Sequence, residues 1–117
     1  MWRWLLACAP DPTLAITAPT ADAVVCGEPL IVDVAVTDFA LIPMDDPVTP
    51  GAGHIDLTLN GQPVMMGHEP PFDLFGMADG RALLRAELVG SDHAPLDPPV
   101  TDEVQITIDH TRCEDPS

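Results

Sequence analysis

The chain contains no lysine and no tyrosine, and its 19 acidic side chains are faced by only four arginines. The resulting net charge of -15 repels phosphate backbones and anionic head groups, so nucleic-acid binding and electrostatic adsorption to a membrane are both disfavoured. Cations are the natural counter-partners. No apolar stretch approaches the roughly 20 residues needed to span a bilayer, and no apolar period of 3.6 persists long enough to build a helical bundle. Phosphate-cradling glycine loops, basic grooves and aromatic stacking platforms are absent as well. Ser91-Asp92-His93 sets a hydroxyl beside a carboxylate and an imidazole, but sequence neighbours on a loop do not make a triad, which requires groups converging in space with an oxyanion hole. The chain therefore reads as a non-enzymatic protein.

What is abundant is punctuation: 14 prolines and eight glycines in 117 residues. Such a chain forms short elements joined by turns, and its length suits one domain that removes roughly two thirds of its unfolded surface from water. Residues 54–59 alternate apolar Ile55, Leu57 and Leu59 with polar His54, Asp56 and Thr58, and Asn60-Gly61 supplies a two-residue hairpin turn into 62–66. Residues 30–37 place Leu30, Val32, Val34 and Val36 on one face. The same alternation gives strands at 13–17, with Leu14 and Ile16 inward, at 72–75, at 82–88, with Ala82, Leu84, Ala86 and Leu88 inward, and at 103–109. About seven short strands in roughly 100 residues predict an all-β, antiparallel immunoglobulin or fibronectin III-like β-sandwich over residues 13–113. An up-and-down barrel is the competitor, but it gives no reason for two long loops placed symmetrically around the middle hairpin.

Three cysteines leave one over after a single pairing. In a sandwich of this topology Cys26 and Cys113 both fall at the lower end, so they are expected to bridge, which implies an oxidising compartment. Cys8 closes Leu5-Leu6-Ala7-Cys8, which resembles the lipobox of bacterial lipoproteins. That resemblance implies cleavage before Cys8 and acylation of its sulfur. Residues 1–8 are then a short signal, 9–12 a stiff spacer and 114–117 a tail, with the protein held at a bacterial periplasmic or cell-surface membrane only through that lipid anchor.

The topology also brings three of the four histidines to the upper end. His54 opens the central hairpin, His68 follows its second strand, and His93 lies in the last long loop; Met44, Met65, Met66 and Glu69 join them. Imidazole suits zinc or copper and thioether suits cuprous copper, so His54, His68 and His93 with Met65 or Met66 form a candidate site for one of these metals. Asp45, Asp46 and Asp92 form a weaker calcium alternative, since no Asp-x-Asp-x-Asp-Gly loop is present. His110, at the opposite end, reads as exposed.

Residues 53–61 and 86–96, with Gly53-His54 before Asn60-Gly61 and Asp92-His93-Ala94-Pro95 in a later loop, resemble a family of small bacterial exported and lipoprotein sandwich domains. The resemblance implies an extracytoplasmic binding domain and marks His54 and His93. It departs at Asp56 and at Arg81-Ala82, where the family pattern tends to carry further histidines. Two roles follow: a module presenting its upper loops to a protein or glycan partner, or a periplasmic copper- or zinc-binding protein.

Overall fold

The computed structural model describes residues 11–43 and 47–113. Cys8, Met44, Asp45, Asp46 and the tail from 114 lie outside the described residues. Among the described residues nine strands run in chain order: β1 Thr13–Ala18, β2 Val24–Val25, β3 Leu30–Thr37, β4 Ala40–Leu41, β5 Ala52–Leu59, β6 Gln62–Gly67, β7 Phe72–Leu74, β8 Gly80–Gly90 and β9 Thr101–Ile108. The helical content of the described residues is a single 3-10 turn, His110–Arg112, whose N-cap Asp109 accepts a hydrogen bond from the Thr111 amide.

The strands form two sheets, one ordered β1-β3-β7 and the other β2-β9-β8-β5-β4, with β6 pairing β5 at its edge. This is the expected immunoglobulin or fibronectin III-like sandwich. The inward faces read from alternation are the ones that are buried: Leu14, Ile16, Leu30, Val32, Phe72 and Leu74 of the first sheet meet Ile55, Leu57, Leu84, Leu88, Ile106 and Ile108 of the second. Fully burying a side chain of this size contributes about 1.5–3 kcal/mol, so this layer outweighs every polar contact in the molecule.

The sheets are also tied by a polar contact, because the Ile16 amide donates to the Asp102 carboxylate on β9 at 2.8 Å. That bond sits beside the register slip of β1 against β3, between Ile16 and Ala18.

The hairpin turn falls where Asn60-Gly61 places it. Asn60 and Gly61 have φ of 52° and 82°, as a two-residue turn of this hand requires. The Asn60 side-chain oxygen accepts from the Leu83 amide at 2.9 Å, which pins the turn to β8.

Two short strands go beyond the expected set. β2 runs parallel to β9, and β4 runs parallel to the start of β5. Each spans two residues, too short to carry a period, and is extended only because a longer strand offers it hydrogen bonds. At the lower end the Cys26–Cys113 disulfide closes, with Cα atoms 4.7 Å apart at a sequence separation of 87. His110 is more than an exposed residue there, since its Nδ1 lies 2.9 Å from the Asp79 carboxylate.

Candidate metal centre

β5 is the strand on which the upper-end chemistry is built. Its inward residues Ile55 and Leu57 enter the core, yet the outward His54 is equally buried, with no exposed surface. Gly53 pairs with Gly90 and His54 with Val89, so the start of β5 lies beside the end of β8 and next to the turn that follows it. A Cβ on Gly53 would collide with the Val89 carbonyl oxygen and the Gly90 backbone, so the close approach of the two strands requires glycine there.

That turn is Gly90–Ala94. The His93 amide donates to the Gly90 carbonyl at 2.8 Å and the Gly90 amide donates to the Ala94 carbonyl at 2.9 Å. This is a three-residue loop whose last residue must be left-handed, a position usually given to glycine. Here it is His93, at φ 67°. A non-glycine residue in this region costs on the order of 1–2 kcal/mol, and the conformation brings the His93 ring to the edge of His54. The ring centroids are 4.7 Å apart at 71°, and His54 Nε2 lies 3.3 Å from His93 Nδ1.

Asp56 completes the group. Residues two apart on a strand share a face, and the Asp56 Oδ1 atom is 3.6 Å from His54 Nε2. One ligand atom from each of His54, Asp56 and His93 lies within 4.8 Å of the others. Ligands held at about 2.0–2.1 Å around a tetrahedral zinc stand about 3.3 Å from one another, so the His54–His93 separation already has the spacing of a coordination edge. Two buried atoms of the group, His54 Nδ1 and Asp56 Oδ1, have no hydrogen-bond partner. Leaving such a group unpaired costs about 1–3 kcal/mol, and a cation between the three side chains would relieve the carboxylate.

Burial holds the His54 imidazole below its ordinary pKa; Asp56 pulls the other way, and His93 and His68 add to the lowering. His54 is thus neutral at neutral pH, the form that binds metal.

The remaining expected residues divide. His68 stands one ladder step beyond the Ile55–Gly67 pair, next to His54 across β5 and β6. Met66 pairs with Asp56 and shares its outer face, half exposed. Met65, by contrast, pairs with Leu57 and packs against the core, away from the histidines. Of the calcium candidates, Asp92 is exposed and spends its Oδ1 on the Ala94 amide at 3.1 Å, bracing the turn. The Ser91 hydroxyl is buried and makes no hydrogen bond, so Ser91, Asp92 and His93 form no relay. Sequence reasoning missed Asp56, counting it as a lost histidine. Its position two residues after His54 on a strand was the available signal.

No family model matches the sequence. No curated protein matches it. Among solved structures the chain is similar to fibronectin(III)-like modules of CbhA from Clostridium thermocellum, with 19% identity and a TM-score of 0.57 over 91% of this chain and 50% of that one. It spans half the length of that structure. It is also similar to CopC from Methylosinus trichosporium OB3b, with 17% identity and a TM-score of 0.51 over 85% of this chain and 94% of that one. At these identities the likeness establishes the sandwich architecture. Fold and disulfide together define an immunoglobulin or fibronectin III-like domain of the kind that persists in oxidising compartments.

Proposed function

We propose that this chain is a non-enzymatic, extracytoplasmic metal-binding domain that holds copper or zinc between His54, His93 and Asp56. The observation that carries this reading is the convergence of two imidazole nitrogens and a carboxylate oxygen, one of them from a fully buried strand residue, within 4.8 Å. His68 and Met66 border the group and are the reserves for a further ligand, Met66 being the one that favours cuprous copper. Two imidazoles and a carboxylate favour zinc or cupric copper over calcium, which takes six to eight oxygens. Acylation of Cys8, in the sense of its lipobox resemblance, would keep the domain at the membrane; the intact mass of the mature protein tests that separately.

The test of the metal reading is thermal unfolding of the disulfide-intact chain, in a Cys8→Ser background so that no free thiol competes. Zn(II), Cu(II) and Ca(II) are each compared with a chelator control. Metal at 100 times its dissociation constant adds about 2.7 kcal/mol, or roughly 10 °C for a domain of this size. The shift is expected with Zn(II) or Cu(II) and is absent from His54→Ala/His93→Ala. A shift with Ca(II) alone, or with no ion, overturns the reading.

A further inference from the structure

A second feature of the upper end is independent of the histidines. A groove of about 700 Å³ runs between the start of β1, the β3–β4 turn and the later half of the β8–β9 loop. Leu14, Phe39, Leu96 and Val100 line it, all of them set against the core. Pro12, Pro98 and Pro99 line it as well. Proline fixes its own φ, which limits the conformations open to these two stretches of the rim. Its volume falls in the range of about 300–1,000 Å³ typical of ligand sites.

Three carboxylates also line it: Asp11, Asp38 and Asp97, all exposed. Asp38 is held there at φ 57°, the left-handed region. None has a cation beside it, since the ion pairs among the described residues are His54–Asp56 and His110–Asp79. An apolar floor under uncompensated negative charge selects an occupant that is both apolar and cationic. The charge rejects phosphates and anionic lipids.

We propose that this groove binds a short extended segment of a partner protein in which arginine or lysine alternates with apolar residues. The rim carboxylates pair with the cations while the apolar side chains rest on Leu14, Phe39, Leu96 and Val100.

The probe is a synthetic six-residue peptide of alternating arginine and leucine, titrated into the isotope-labelled full chain in the presence of a chelator. Two control peptides replace leucine by serine or arginine by glutamate. Amide shifts are expected at Leu14, Phe39, Leu96 and Val100. Affinity should fall about fivefold in Asp38→Asn/Asp97→Asn, whose exposed side chains the fold does not need, and fall similarly with the serine peptide. His54→Ala/His93→Ala should bind the peptide as the parent does, which separates this proposal from the metal reading. Equal affinity for the serine peptide, shifts spread over the whole acidic surface, or no binding overturns it.

Discussion

His54 Nε2 and His93 Nδ1 stand 3.3 Å apart although 39 residues separate them in the chain. Neither residue reaches the other by local geometry. The β5–β8 register and a left-handed residue at the end of one tight turn bring them together. A domain that needed only a stable turn would place glycine or asparagine at position 93, so the imidazole is held there at some expense to stability.

That expense is measurable. His93→Asn keeps a residue that tolerates the left-handed region and removes the imidazole. Urea unfolding of the metal-free protein should show stability unchanged to within about 0.5 kcal/mol, or raised. The stabilisation by Zn(II) or Cu(II) should disappear. A loss of about 2 kcal/mol without metal would mean that the His54–His93 contact is itself part of the fold.

The pH dependence follows from His54. Its folded pKa lies below the ordinary value of 6.5 because it is buried, so the unfolded chain binds more protons than the folded one between those two values. His54 therefore favours the fold fully above about pH 6.5, and this contribution is lost as pH falls toward the folded pKa. Denaturant unfolding of the metal-free protein at pH 7.5 and 5.5 should show the loss. A His54→Gln variant should show a smaller one. Metal binding must weaken over the same interval, because protons and metal compete for the same nitrogen.

Removing the disulfide with Cys26→Ser/Cys113→Ser opens a loop of 87 residues. In the chain-entropy account this costs about 4–5 kcal/mol, a large share of the stability of a domain this size. Calorimetry of the double variant should show a drop in Tm of 10 °C or more, about the ratio expected for that loss. The affinity of the upper-end site for metal, measured below the new transition, should not change.

Asp102→Ala leaves the Ile16 amide without its partner at the slip in β1. The expected cost is about 1–2 kcal/mol. Asp102→Asn keeps an acceptor and should recover most of it. If both variants unfold at the same denaturant concentration as the parent, water replaces the carboxylate and the sheets are joined by the apolar layer alone.

Much of this architecture was legible in the residue pattern. The alternation of Leu30, Val32 and Val34, and of Ala82, Leu84, Ala86 and Leu88, names the buried face of two strands, because burying one side of a pleated strand imposes a period of two. Asn60-Gly61 names its turn for an equally local reason. β2 and β4 were not legible, because two residues carry no period and their extension is imposed by β9 and β5. Met65 and Met66 show the same limit. Neighbours in sequence, they point to opposite faces, and only the pairing of Leu57 with Met65 decides which one turns inward.

The sequence by itself determined the longer strands, their inward faces and the disulfide, since each depends on period, turn chemistry or strand count. Tertiary structure decided the donor set. The burial of an outward-facing His54, the inclusion of Asp56 and the aim of His93 depend on which strand lies beside β5 and on how closely Gly53 lets it approach. Ångström-scale convergence between distant side chains is a property of packing, which no local pattern encodes.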